Sequence, residues 1–329
     1  MKTKKGVALV MANAEYIQQH KLPACRKDGQ DIKDVFEYLN FDVISGLDLR
    51  RSDMYELIST FIDEAKAYST VLVYYSGHGI QIDGENYFVP IDCEYKESKS
   101  IFKETQLVSI NAITEFMTAN PNKTNIMILD ACRSTVDFSK DIVGTGLTEV
   151  MAGNGTLIAF ATSPNEVARA DATKDGNSYY TKCLLPNIIR PNVKIEDMFK
   201  LVRNDVIALT NGEQVPWENT SLNKDFYFNT MSKDEIDEQI YQCIRNNYSA
   251  QILVLMSKIT GIVISELLRI HCIQKSEKAG GIYFNRPEEM ESYLLKQVLE
   301  LGFEFKEYRW CYKGILVRMG EFLHIPDTI

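Results

Sequence analysis

Short apolar runs alternate with amphipathic stretches through the first 230 residues of the chain. The apolar runs have the length and composition of buried strands in a parallel sheet, and they lie at residues 6–11, 41–45, 70–75, 86–91, 125–132 and 156–163. In the stretches between them, apolar side chains recur every three or four residues, which predicts helices at residues 27–40, 53–68, 110–118, 178–189 and 195–210. This alternation predicts an α/β fold with a mostly parallel sheet flanked by helices.

The pattern changes after residue 231, where a charged segment leads into a long apolar stretch at 250–270. The elements predicted beyond it are a helix at 287–301 and a short antiparallel sheet, to which the apolar segments 281–285 and 310–319 belong. We therefore predict two domains, residues 1–230 and a smaller α+β domain at residues 231–329. We interpret the stretch 250–270 as the core of the smaller domain, and a groove for a partner protein is the second interpretation.

The composition argues against several classes of protein. The chain has 329 residues, of which 45% are hydrophobic and 25% charged, as in soluble globular proteins. Its formal net charge of −9 argues against a nucleic acid or an anionic membrane as the main partner. Asn13 and Glu15 interrupt the first apolar run too early for a signal peptide, and no segment is long and apolar enough to span a bilayer.

The seven cysteines are scattered, without a CxxC motif or a close cysteine and histidine ligand pattern. The sequence therefore predicts neither a metal site nor a disulfide framework. An odd number of cysteines and no secretion signal favour a reducing cytoplasm. In that compartment one cysteine can be present for its reactivity, while the others act as small buried apolar side chains.

Two of the predicted strands end in residues with catalytic chemistry. The run at 70–75 leads into Ser76-Gly77-His78-Gly79, which predicts a glycine loop at the carboxyl edge of the sheet. The run at 125–132 ends at Cys132, at the same predicted edge. A thiol beside an imidazole is the minimal set for nucleophilic catalysis, since the thiolate attacks and histidine transfers the proton. A histidine that only caps a turn and a buried structural cysteine would fit the same pattern.

The motifs YYSGHG and LDACRS at these strand ends resemble those of the caspase-like cysteine peptidases of clan CD, peptidase family C14. The resemblance is greater to metacaspases and paracaspases than to true caspases, and it covers about residues 4–229. It implies a caspase-like fold and a cysteine endopeptidase. By the same resemblance His78 is the general acid and base, Cys132 the nucleophile, and the backbone N–H groups of Gly79 and Cys132 the oxyanion hole.

The resemblance also implies a pocket for the residue before the cleaved bond. Asp130 stands where true caspases carry glutamine, and Cys25 and Asp28 match the family's C-x-x-D segment. Ser76 matches a further pocket residue. Two carboxylates can hold an arginine guanidinium in a paired, planar geometry, so the expected substrate is a protein or peptide cleaved after arginine and less well after lysine.

Different roles for these residues stay open at the level of sequence. Asp28 could cap the helix that it precedes, and Asp130 could accept backbone N–H groups in a turn. Arg26 and Lys27 stand where the family commonly has uncharged side chains, and their charges could neutralise the acids. The second function class is a catalytically silent caspase-like adaptor that binds partners.

The expectations about activation concern self-cleavage, calcium and a regulatory protein. Basic residues that could be sites of self-cleavage are Arg133, Lys140, Arg169 and Lys174. No cofactor is predicted. Calcium activation, which part of the family shows, stays open because the nearby acids do not specify an oxygen-rich site. The resemblance implies a regulated effector in bacterial stress or anti-phage defence, with residues 231–329 binding a regulatory protein.

Overall fold

The structure is a computed structural model that describes residues 4–132, 153–163 and 176–232, together with the backbone of five strands between residues 273 and 316. The chain divides into two compact units. The first contains Met1–Ile188 and Lys194–Tyr227, and the second contains Ile189–Val193 and Phe228–Ile329. The assignment of separate roles to two domains stays a prediction.

The described part of the first unit contains eight strands and six helices. In chain order they are β1 (Gly6–Ala12), α1 (Pro23–Tyr38), β2 (Phe41–Leu47), α2 (Arg51–Ala65), β3 (Thr70–Ile82), β4 (Glu85–Phe88), α3 (Lys99–Gln106), β5 (Val108–Ser109), α4 (Asn111–Ala119), β6 (Thr124–Cys132), β7 (Thr156–Phe160), α5 (Tyr179–Ile188), α6 (Ile195–Leu209) and β8 (Trp217–Thr220). The main sheet has the order β2-β1-β3-β6-β7-β8, in which the first five strands are parallel and β8 is an antiparallel edge. The predicted mostly parallel α/β fold is confirmed.

Helices cover both faces of this sheet. On one face, alternate residues of β3 pack with α2 and α4 in a cluster that includes Val73, Tyr75 and Phe61. The intervening residues of β3, Tyr74 and Ser76, contact α5 and α1. Because successive strand residues point to opposite faces, this alternation places α1 and α5 together on the second face. The strands are apolar on both sides, which is why they appear in the sequence as continuous apolar runs.

The predicted glycine loop after residue 75 is wrong, because β3 continues through His78 to Ile82. Beyond His78 the strand leaves its parallel neighbours and pairs antiparallel with β4, starting at the pair Gly79 and Phe88. The reversal occurs at Asp83 and Gly84, whose φ angles of 53° and 83° are typical of a two-residue hairpin turn. His78 therefore lies inside a long strand, and its position is fixed by the sheet.

The described strands of the second unit form two small antiparallel sheets. Strands β9 (Ile273–Ser276) and β10 (Gly281–Phe284) form one pair. Strands β11 (Phe303–Lys306), β12 (Arg309–Tyr312) and β13 (Ile315–Leu316) form the other. These pairings agree with the predicted short antiparallel strands. The apolar stretch 250–270 and the predicted helix at 287–301 lie outside the described residues.

Candidate active site

The sheet places His78 and Cys132 side by side. Strands β3 and β6 are parallel neighbours, and their register pairs Ser76 with Asp130 and His78 with Cys132. Adjacent strands lie about 4.8 Å apart, so the two residues of the predicted catalytic dyad occupy neighbouring backbone positions. The side chain of Cys132 lies outside the described residues, and its role as nucleophile stays a prediction.

The imidazole of His78 is oriented by a backbone carbonyl. His78 Nε2 lies 2.8 Å from the carbonyl oxygen of His20, and the side chain is 1% exposed. Because a carbonyl oxygen can only accept, Nε2 carries the hydrogen, and the neutral ring has its basic lone pair on Nδ1. Burial lowers the pKa of His78 to about 4. The imidazole is therefore neutral near pH 7 and chemically able to take a proton.

Two tyrosines hold the peptide groups of His78. The hydroxyl of Tyr16 accepts the His78 backbone N–H at 2.7 Å, and the Tyr16 ring lies 4.4 Å from the imidazole between centroids. The hydroxyl of Tyr75 donates to the His78 carbonyl oxygen at 2.8 Å. Tyr16 and His20 belong to the same loop between β1 and α1. This loop therefore contacts His78 through both its ring and its backbone.

The space beside these hydroxyls explains why residue 77 is glycine. A Cβ at Gly77 would lie 2.6 Å from the Tyr75 hydroxyl oxygen and 2.8 Å from that of Tyr16. The Gly77→Ala variant should consequently lose about 1–3 kcal/mol of unfolding free energy, the usual effect of overpacking a buried site. Urea denaturation would measure this loss. An alanine variant as stable as the parent chain would contradict the predicted clash.

Two buried carboxyl groups lie around Ser76, two residues before His78 in β3. Asp28 projects from α1 and is fully buried, and Asp130 on β6 is 2% exposed. Ser76 on β3 donates to Asp28 Oδ2 at 3.2 Å, and it is the register partner of Asp130. The structure thus brings together three of the four residues predicted to form the substrate pocket.

Neutral groups of α5 and the residues just before it surround both acids. The backbone N–H of Ser178 donates to Asp28 Oδ1 at 3.0 Å, and its hydroxyl donates to Asp130 Oδ2. Thr181 donates its hydroxyl to the same Asp130 oxygen at 2.7 Å. The amide of Asn177 also bonds the Asp28 carboxylate. Every one of these donors is uncharged.

The environment of the pair favours the protonated state of its carboxyl groups. Burial, followed by repulsion from Asp130, raises the pKa of Asp28 to about 8. Burial also raises the pKa of Asp130, and the hydrogen bonds from Ser178 and Thr181 offset part of that rise. Two like charges in one buried site raise the free energy of the folded chain unless a cation lies between them. The acid pair is therefore suited to bind a cation.

The nearby basic side chains bind acids outside this pair. Arg26 Nη1 lies 2.6 Å from Asp48 Oδ2, and Lys27 Nζ lies 2.5 Å from Asp31 Oδ2. Asp31 belongs to α1, and Asp48 lies directly after β2. Neutralisation of the acid pair by Arg26 or Lys27, which the sequence left open, is therefore not the arrangement in the structure.

Asp28 and Asp130 act neither as a helix cap nor as a turn acceptor, the two structural roles that the sequence left open. Helix α1 begins at Pro23, so Asp28 lies inside the helix and does not cap it. Asp130 accepts a backbone N–H from Thr181 on α5, rather than from a turn of its own strand. Both carboxyl groups are therefore held by contacts between elements that are distant in sequence.

Cys25 and Gly79 have less distinctive surroundings. Cys25 is 2% exposed and packs in an apolar cluster with Tyr16 and Ile80. Gly79 lies in the antiparallel part of β3, opposite Phe88. The role of Cys25 in the pocket and that of the Gly79 N–H in an oxyanion hole stay predictions.

Sequence reasoning missed several residues around the dyad and the acid pair: Tyr16, His20, Tyr75, Asn177, Ser178 and Thr181. Ser178 had a detectable signal, because a serine just before an apolar helix is typical of an N-cap. Its hydroxyl indeed accepts the backbone N–H of Thr181 at 3.0 Å. The contribution of His20 is a backbone carbonyl, which has no signature in side-chain patterns.

The thiols of the described part of the chain are buried, and none of them forms a disulfide within it. They belong to Cys25, Cys93 and Cys183, and burial raises the pKa of Cys93 and of Cys183 to about 12. Among residues 4–132, 153–163 and 176–232, no cluster of three or more acidic, histidine or cysteine side chains could hold a metal ion. No described helix has the length and apolarity to cross a membrane. The four predicted self-cleavage residues lie outside the described residues.

Comparisons with known proteins show which family and which relatives the chain is similar to. Residues 5–227 match the family model described as the caspase domain, peptidase C14. The human mucosa-associated lymphoid tissue lymphoma translocation protein 1 is 27% identical over 139 residues, which are 42% of this chain and 16% of the relative. Its mouse homologue matches with the same identity and coverage. The matched region spans about a sixth of the length of these curated relatives.

Proposed function

Because the chain belongs to the caspase domain family of peptidases, we propose that it is a cysteine endopeptidase that cleaves proteins after arginine and less efficiently after lysine. His78 and Cys132 act as the catalytic dyad, and Asp28 and Asp130 bind the basic side chain of the substrate. The chain acts as a regulated effector, with residues 231–329 receiving the regulatory signal. A bacterial stress or anti-phage defence role is part of this proposal.

The observation that carries the proposal is the buried acid pair held by neutral donors. Asp28 and Asp130 accept hydrogen bonds from Ser76, Ser178 and Thr181. The nearby basic side chains of α1 pair with two other acids, Asp48 and Asp31. A guanidinium would supply the missing positive charge and several N–H donors in one plane. An aspartate side chain would add a third negative charge, so cleavage after aspartate is disfavoured.

The chemistry follows from the orientation of His78. With Nε2–H donated to the His20 carbonyl, Nδ1 is the atom that accepts the Cys132 thiol proton. The thiolate attacks the substrate carbonyl carbon, and the backbone N–H groups of Gly79 and Cys132 stabilise the resulting oxyanion. His78 then gives its proton to the leaving amine. Water, deprotonated in turn by Nδ1, hydrolyses the thioester and restores the thiol.

A panel of fluorogenic peptides tests this function. The peptides are identical except for arginine, lysine, aspartate or leucine before the reporter. We expect turnover in the order arginine, then lysine, with aspartate and leucine at least about 100-fold slower, the loss expected when a buried charge lacks its partner. Addition and chelation of calcium in parallel samples would show whether this ion is required.

The panel also separates the peptidase from the adaptor. Selective turnover of the aspartyl peptide would refute the roles of Asp28 and Asp130. If no peptide is cleaved, labelling with an arginyl peptide electrophile decides, because a functional Cys132 thiolate would be modified covalently. Absence of both turnover and labelling would favour the catalytically silent adaptor.

A further inference from the structure

Ser178 links the two acids of the site. It lies just before α5 and is 6% exposed. Its backbone N–H donates to Asp28 Oδ1, and its hydroxyl donates to Asp130 Oδ2. Ser76 donates to Asp28 and Thr181 to Asp130. Ser178 therefore connects carboxyl groups that come from α1 and β6, elements that are far apart in the sequence.

The position of Ser178 is itself fixed from two sides. Its hydroxyl oxygen accepts the backbone N–H of Thr181 at 3.0 Å, which caps α5. The hydroxyl of Thr181 lies 2.6 Å from that of Tyr74 on β3. This chain of hydrogen bonds ties the first turn of α5 to the central sheet. The Ser178 hydroxyl consequently has one direction in which it can donate, toward Asp130.

We propose that Ser178 is a positioning residue for arginine recognition, which holds Asp28 and Asp130 as one paired receptor for a guanidinium group. The inference rests on the proposed function and adds to it a residue that sets the selectivity. A guanidinium is a rigid planar fork, so it benefits from carboxylates whose orientation is fixed in advance. An ammonium group is closer to a point charge and gains less from that orientation.

The electrostatics agree with this role. Burial raises the pKa of Asp130, and the hydrogen bond from Ser178 is the largest of the contacts that lower this pKa. Without the Ser178 hydroxyl, Asp130 holds its proton to a higher pH, and the pair offers less negative charge to a cation. Loss of this single hydroxyl should thus weaken both the geometry and the charge of the receptor.

The test measures binding without turnover. Agmatine, which carries a guanidinium group, is titrated calorimetrically into the full-length Cys132→Ala chain, alone or combined with Ser178→Ala or Ser178→Thr. Removing the hydroxyl should weaken agmatine binding about 10-fold, the size of effect typical of one hydrogen bond to a charged group, and threonine, which keeps a hydroxyl, should restore most of it. The pH midpoint of agmatine binding should also move upward in the Ser178→Ala chain.

Ser98→Ala is the matched control. Ser98 caps α3 by accepting the backbone N–H of Ile101, so this variant loses a helix cap away from the acid pair. It should bind agmatine like the parent chain. In chains that retain Cys132, Ser178→Ala should act mainly on KM for the arginyl peptide and lower the ratio of arginyl to lysyl kcat/KM. A purely structural role would predict similar effects for both variants.

Equal agmatine affinity with and without the Ser178 hydroxyl would overturn the inference, as would a parent chain that does not bind agmatine at all. If agmatine binds but no arginyl peptide is hydrolysed by the chain with Cys132, the peptidase activity fails while the role of Ser178 is still measured. Circular dichroism of every variant verifies that the fold is retained.

Discussion

Replacement of Cys132 by alanine is expected to lower the hydrolysis of an arginyl peptide by at least about 1,000-fold, because the attacking sulfur is lost. His78→Ala should cause a loss of similar size, since the thiol then has no base. The two residues act as one unit, so the rate of the double variant should lie within about 10-fold of the rate of either single variant. Steady-state kinetics on the three variants measure both expectations.

Cys93→Ala is the matched control for the nucleophile. Cys93 is a buried free thiol whose pKa is raised to about 12 by burial, so its removal should leave the peptidase rate nearly unchanged. An arginyl peptide electrophile should label the parent chain and the Cys93→Ala chain, but not the Cys132→Ala chain. Full activity of the Cys132→Ala chain would refute the assignment of the nucleophile.

Replacement of Asp28 by asparagine should lower kcat/KM for the arginyl peptide by about 100-fold or more, since the guanidinium loses one of two buried carboxylates. The pH dependence should change as well. The pKa of Asp28 is raised to about 8, and a cation requires the ionised carboxylate. In the parent chain kcat/KM should therefore rise with pH until about pH 8. The Asp28→Asn chain should lack that rise.

The stability of the parent chain should depend on pH in the opposite sense to its kcat/KM, and Asp28→Asn should remove this dependence too. Because the folded-state pKa of Asp28 exceeds its ordinary value of 3.8, its contribution to stability is greatest at low pH and is lost as pH rises toward about 8. The unfolding free energy of the parent chain should fall relative to that of Asp28→Asn over this interval, by at most about 1.4 kcal/mol per pH unit. Urea denaturation at about pH 5 and about pH 8 measures the difference.

Asp34→Asn provides the control on the same helix. Asp34 lies on the exposed surface of α1, where its removal should change the activity little. A parent chain whose stability relative to Asp28→Asn does not depend on pH would contradict a buried acid with a raised pKa. Unchanged kcat/KM for the arginyl peptide in Asp28→Asn would contradict its role in the pocket.

Much of the fold could be predicted because local chemistry and tertiary structure agree. A central parallel strand is covered on both faces, so β3, β6 and β7 appear in the sequence as continuous apolar runs. The short elements α3, β5 and β8 have no clear sequence signal, since a few residues at an edge carry too weak a pattern. The apolar run did not predict the full length of β3, because the strand beyond His78 is held by its pairing with β4.

Motifs and apolar periodicity are local properties of a chain, so they predicted the α/β fold and identified His78, Cys132, Asp28 and Asp130 as candidates. The arrangement of these candidates depends on the tertiary fold. The fold pairs β3 with β6 in a register that aligns His78 with Cys132, and the basic side chains of α1 pair with Asp48 and Asp31. The fold also brings Ser178 to both carboxyl groups. These contacts join residues distant in sequence, so they follow from how the helices pack on the sheet.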